Sequence, residues 1–141
     1  MMRQLRNAFA LVAALVATGC ATTTTELSVP SIVGTWSYVG QRTSGPSNVV
    51  RYNGRLNVRN QQGMAFDADF AAEALTAQGS VTLVTGLVVG AFASREALDF
   101  DVQVGEATLT HVGRLHGDTI SGSWIGSDNA QGTFVAVRQR P

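Results

Sequence analysis

Lysine is absent from this chain: all 10 basic residues are arginine, and only 14% of its 141 residues are charged. Cysteine occurs once and histidine twice. A lone cysteine, Cys20, excludes an internal disulfide, and a zinc site wants several Cys or His ligands at short spacing. Without lysine there is no phosphate-loop or Schiff-base amine. No Ser or Cys sits in a nucleophile motif, and the Gly-rich stretches lack a phosphate-binding pattern. These absences argue against an enzyme and call for no cofactor. A formal net charge of +0 advertises no surface for nucleic acid. What remains is a hydrophobic content of 45%, enough to give one domain a real core.

The amino terminus has the layout of a signal peptide: Arg3 and Arg6, an unbroken apolar stretch from Ala8 to Val16, then the small residues Ala17-Thr18-Gly19 before Cys20. The apolar run falls far short of the ~20 residues a membrane span needs. Ala17-Thr18-Gly19-Cys20 resembles the bacterial lipobox, with Ala17 where lipoboxes prefer Leu. The resemblance implies cleavage before Cys20, lipid on its sulfur and amine, and a membrane as partner; several acyl chains hold where one binds only marginally. Ala21 after the cysteine resembles the outer-membrane sorting pattern of enteric bacteria, which implies a cell-envelope location at the outer membrane, facing the periplasm.

Three regions follow: a leader over 1–19, a lipidated cysteine and tether over 20–31, and a folded domain over 32–141. The tether is Thr-rich and punctuated by Pro30, and Ala21 to Ser31 spans at most ~36 Å. Loss of Arg3 and Arg6 leaves 8 Arg against 10 Asp and Glu, a net charge of about −2.

From Ile32 onward, apolar and polar residues alternate and Gly-centred turns recur every ~10 to 12 residues, the rhythm of an all-β chain. Only Ala71 to Ala77 has helical spacing. The expected strands are Ile32 to Gly40, Val49 to Arg59, Met64 to Ala74, Ser80 to Val89, Ala91 to Val104, Ala107 to Leu115, Asp118 to Ser127 and Thr133 to Gln139. Eight strands with short links predict an antiparallel up-and-down β-barrel, its interior packed or holding one small ligand.

Three hairpins carry enough turn chemistry to set a register. A loop of Gln61-Gln62-Gly63 sets Val58 against Phe66 and Leu56 against Ala68, with Arg55 against Asp69 and Arg51 against Glu73 on the other face. A Gly105-Glu106 turn pairs Val102 with Leu109 and Phe100 with His111. A His116-Gly117 turn pairs Leu109 with Trp124, His111 with Gly122 and Gly113 with Ile120. A membrane barrel would face apolar residues outward; here Arg51, Arg55, Arg59, Asp67, Asp69, Glu73, Asp99 and Asp101 lie opposite Val58, Phe66, Phe70, Phe100 and Val102.

Gly34-Thr35-Trp36 on the first strand, with Arg138 on the last, resembles the signature of the calycins: lipocalins, fatty-acid-binding proteins and avidins. The resemblance implies that Trp36 closes one barrel end and that Arg138 packs across it, a stacking that suits a guanidinium. The second lipocalin motif is not evident, and Trp36 and Trp124 are fewer tryptophans than line an avidin biotin site. Leu27 to Ser31 before Gly34-Thr35-Trp36 is also similar to secreted metalloprotease inhibitors, whose corresponding peptide enters the protease cleft, although this chain lacks their disulfide. Gly122-Ser123-Trp124 echoes Gly34-Thr35-Trp36 without making a repeat.

His111 is the polar residue to watch, since both hairpin registers point it inward between Phe100 and Gly122. It reads first as a core histidine satisfied by a neighbour and second as a ligand contact. In the ligand reading His111, Phe100, Gly122, Trp124 and Tyr38 line a pocket sealed by Trp36 and Arg138. His116 with Asp118 reads as a turn before it reads as a metal site, and the Asp67/Asp69 and Asp99/Asp101 pairs read as ion-paired or solvated face. Two functional classes stand: an envelope structural or interaction module with a filled core, ranked first, and a barrel binding a small apolar ligand. An envelope protein or that ligand is the further partner, and a protease-inhibitor-like barrel ranks below both.

Overall fold

Strict alternation places every second side chain on one side of each strand, and one face here is apolar apart from His111, so the sheet must curl until that face is enclosed. A computed structural model describes residues 19–21 and 27–141. The leader expected over 1–19 and the 22–26 part of the tether lie wholly or almost wholly outside the described residues. Eight antiparallel strands follow in order: β1 (Gly34–Ser44), β2 (Val49–Gln62), β3 (Ala65–Thr76), β4 (Val81–Phe92), β5 (Ala97–Val104), β6 (Ala107–His116), β7 (Thr119–Gly126) and β8 (Gln131–Arg138). Each pairs with its neighbour and β8 returns to β1, closing the barrel. The all-β, antiparallel up-and-down barrel expected from the sequence is the fold found.

Several strand ends differ from expectation. β1 runs on past Gly40 to Ser44, β4 continues to Phe92, and β5 starts only at Ala97. Ala71 to Ala77 is no helix; it is strand as far as Thr76, because Ala72 and Ala74 are buried on one side while Glu73 is exposed on the other.

Two of the three expected registers are corrected by two residues. Two of the expected turns put glycine last, after Gln or His, where the backbone puts it first: Gly63, Gly105 and Gly117 each have φ of 59°, as the first position of a type II′ turn requires. Gly105-Glu106 was read that way, and Phe100 does pair with His111 and Val102 with Leu109. The β2–β3 turn is instead Gly63-Met64, and a bulge follows between Val58 and Asn60. Val58 therefore meets Ala68, and Leu56 meets Phe70. Arg55 faces Ala71 and Arg51 faces Leu75, rather than Asp69 and Glu73. Arg59, lifted by the bulge, takes the aspartates instead, at 3.5 Å from Asp67 and 3.2 Å from Asp69. The β6–β7 turn is Gly117-Asp118, so His111 meets Trp124, Gly113 meets Gly122 and Leu115 meets Ile120. A shift of two keeps every side chain on its face. The apolar set stays inside, with Trp36, Tyr38, Phe70, Leu98, Val102, Trp124, Phe134 and Ala136 at 2% exposure or less.

Candidate functional site

The barrel interior is built around His111, the one polar side chain among the described residues to be buried as fully as the apolar core. Its strand neighbour Phe100 stacks on it, ring centroids 4.4 Å apart and planes 11° from parallel. Phe134 meets it edge-on at 4.9 Å, and Tyr38 stacks on Phe134 while meeting Phe70 edge-on. These offset and edge contacts satisfy the ring quadrupoles. The imidazole tautomer follows from its partners. Nδ1 lies 2.9 Å from the Leu109 carbonyl, which only accepts, so Nδ1 carries the proton. Nε2 is then an acceptor, and the Tyr38 hydroxyl donates to it at 2.8 Å. Burial is the main cause lowering the His111 pKa to about 4, against a smaller opposing pull from the Leu109 carbonyl. Burial likewise pushes the Tyr38 hydroxyl up. The pair is a neutral hydrogen bond at physiological pH, with no buried polar side-chain atom left without a partner among the described residues.

The five expected pocket residues are only partly together. His111, Phe100 and Tyr38 form the cluster, and Trp124 lies beside His111 on β7 while packing edge-on to Tyr52 at 6.2 Å. Gly122 does not neighbour His111. It sits between Gly113 and Phe134, and a Cβ on it would stand 2.0 Å from the Val112 carbonyl oxygen. Its lack of a side chain serves the close approach of β7 to β6, not an opening for ligand. Phe70 is on the inward face the sequence predicts, whereas Phe134 is not among the residues singled out there. The signal for Phe134 was an inward position on β8 beside two paired glycines.

Trp36 and Arg138 are paired across β1 and β8. The Arg138 guanidinium lies 4.4 Å over the Trp36 ring, and the indole donates to the Ile32 carbonyl at 2.9 Å. Arg138 also donates to the carbonyls of Val33 and Ser31 and pairs with Asp118 at 3.3 Å. Asp118 is held below its usual pKa, first by its hydrogen bond from Arg140. Asp118 is thus an anchor for arginines rather than a partner of His116. Gln61 accepts from the Ile32 amide and donates to the Pro30 carbonyl, so the last residues of the expected tether are tied to the rim. Cys20 is a free, exposed cysteine.

The grooves described for the surface lie outside the barrel wall. One of about 640 Å³ is lined by outward side chains that include Ser37, Arg55, Glu73, Leu83 and Thr85. Among the described residues no group of three or more His, Cys, Asp and Glu is placed to hold a metal ion.

No family model matches this chain, and no curated protein matches it. Solved structures do. A redesigned beta barrel aligns with a TM-score of 0.62 at 16% identity, over 77% of this chain and 91% of its own. A fluorescence-activating beta barrel of de novo design aligns with a TM-score of 0.59 at 16% identity, over 76% and 93%. A redesigned beta barrel bound to DFHBI aligns at 0.60 with 14% identity, over 75% and 94%. At such identities the likeness is one of fold.

Proposed function

We propose that this chain is a lipoprotein of the cell envelope, anchored through lipid on Cys20 at the outer membrane and facing the periplasm, whose barrel is a structural or interaction module. The observation that carries the module reading is the interior. His111 fills its centre, is satisfied by Tyr38 and Leu109, and lies flat on Phe100. A pocket for an apolar ligand usually exceeds ~300 Å³ and keeps a few polar groups free to orient it. Here the one buried polar side chain has both ring nitrogens engaged. Activity then belongs to the outer surface. The anchor reading rests on the leader, on Cys20 and on a connecting segment whose end is fixed to the rim.

The second reading, a small apolar ligand inside the barrel, draws on neighbours bound to DFHBI. One experiment separates the two. An apolar fluorescent dye titrated into the protein shows no saturable binding if the core is filled; saturable binding that shifts the His111 and Phe100 resonances replaces the module with a carrier. For the anchor, Cys20→Ser abolishes metabolic labelling with fatty acid and releases the protein from membranes; undiminished labelling removes the lipoprotein claim.

A further inference from the structure

Outward aliphatics also occur on β6, β7 and β8, as Val112, Ile125, Val135 and Val137, but the outer face of β4 carries the longest row among the described residues. Alternate residues along it are Val81, Leu83, Thr85, Leu87 and Val89, all outward, and the four aliphatic ones are 58%, 78%, 63% and 69% exposed. Scattered exposed aliphatics need no explanation, but a contiguous row does. The row is flanked mainly by acid, with Arg51 and Arg55 lining the same grooves as Glu73 at its Val81–Leu83 end. On β3, Asp67 lies across from Val89, Asp69 from Leu87 and Glu73 from Leu83. On β5, Asp101 lies across from Val89 and Asp99 from Ala91. Arg59 neutralises Asp67 and Asp69 only in part, at surface distances. Glu73, Asp99 and Asp101 take part in none of the ion pairs among the described residues.

We infer that the outward face of β4 docks a cationic amphipathic helix of a protein partner, packing its apolar stripe on Val81, Leu83, Leu87 and Val89 and reaching the flanking carboxylates with Lys or Arg. The inference deepens the interaction-module reading and rests on it. Covering an apolar sheet face with an amphipathic helix is the usual way such a face is buried. At ~3.3 Å per residue the row from Val81 to Val89 is about 26 Å long, the length of a helix of about 17 residues. Charge selects among occupants. A second copy laid stripe on stripe sets Asp99 and Asp101 against carboxylates of the same sign, and an anionic lipid surface meets the same repulsion. Positive charge on the partner removes that cost and speeds encounter.

The test uses the full chain and an 18-residue Leu/Lys helical peptide with Leu at i, i+3, i+4 and i+7, beside the same peptide with Glu for Lys. Amide shifts, self-association and binding to anionic vesicles are measured in parallel. The Lys peptide is expected to bind saturably, to shift amides of β3 to β5, and to weaken as salt rises; the Glu peptide is expected not to bind. Leu83→Thr with Leu87→Thr, which puts polar, β-branched strand formers in place of the leucines, is expected to lower affinity by at least about tenfold. Asp99→Asn with Asp101→Asn is expected to flatten the salt dependence at unchanged melting temperature. Shifts on another face, undiminished binding by the Thr variant, self-association that the variant removes, or vesicle binding that it removes would each overturn the proposal. Its failure is distinct from failure of the module reading, which shows as dye-induced shifts at Phe100 and His111.

Discussion

Tyr38 on β1 and His111 on β6, separated by 73 residues in the chain, meet inside the barrel with the phenol donating to imidazole Nε2 at 2.8 Å. Neither is a strand neighbour of the other. The bond crosses the interior and ties opposite walls together, and it lets an apolar core hold one polar ring without a free polar atom.

Removing the donor tests that bond directly. Tyr38→Phe leaves Nε2 buried and unpartnered, which costs about 1 to 3 kcal/mol. Replacing both members by Tyr38→Phe with His111→Leu removes the orphaned acceptor, so the double variant is expected to lose less than the two single losses added. Urea unfolding of the four proteins reads the coupling. Strict additivity would show that the contact contributes nothing beyond packing.

The same histidine sets a pH dependence. Its folded pKa, lowered to about 4 by burial, lies below the ordinary value near 6.5, so between those limits the unfolded chain binds the extra proton. Stability is complete above pH 6.5 and falls as pH drops toward 4, by roughly 2 kcal/mol between pH 7 and pH 5. The expected result is a lower urea midpoint at pH 5 that His111→Leu does not share. An equal loss in that variant would assign the effect to other groups.

Arg138 couples the last strand to the segment before the first. Its guanidinium covers Trp36, and it donates to the Ser31 and Val33 carbonyls. Arg138→Lys keeps the charge but loses the planar fork, and is expected to cost about 1 to 2 kcal/mol, with Arg138→Ala costing more. Limited proteolysis should show earlier cleavage between Leu27 and Val33 in both. Unchanged cleavage would mean that the segment is held by Gln61 and Ile32 alone.

How much of this was legible depended on where glycine sits in each turn. With Gly105 as the first turn residue, the sequence predicts the Phe100–His111 pairing that the barrel has. At Gly63 and Gly117 the glycine was placed last, and both ladders slipped by two. The slip was invisible to the alternation test because an even shift preserves faces. It changed which charges pair, giving Asp67 and Asp69 to Arg59 in place of Arg55 for Asp69, and it moved Gly122 away from His111. Strand pairing can be read locally, one hairpin at a time. Contacts across the interior, such as Tyr38 with His111 or Phe134 over Gly113, depend on how the barrel closes, and no hairpin register states them. The pair Trp36 and Arg138 was legible only through its resemblance to a known signature.

Pocket and packed core cannot be told apart by enlarging Gly122, since even a Cβ there meets the β6 backbone. Phe100 asks the question better. Its ring lies on His111 at 4.4 Å, edge-on to Phe134 at 5.5 Å and near Phe66 at 6.3 Å, so Phe100→Ala empties the middle of the core without touching the backbone. The loss is expected to be about 3 to 5 kcal/mol. An apolar void of that kind stays dry and accepts a small aromatic, so benzene should raise the melting temperature of Phe100→Ala and leave that of the unaltered protein unchanged. A benzene-induced rise in both would show that the interior already holds space for a ligand, and would move the function of the barrel from its outer wall to its centre.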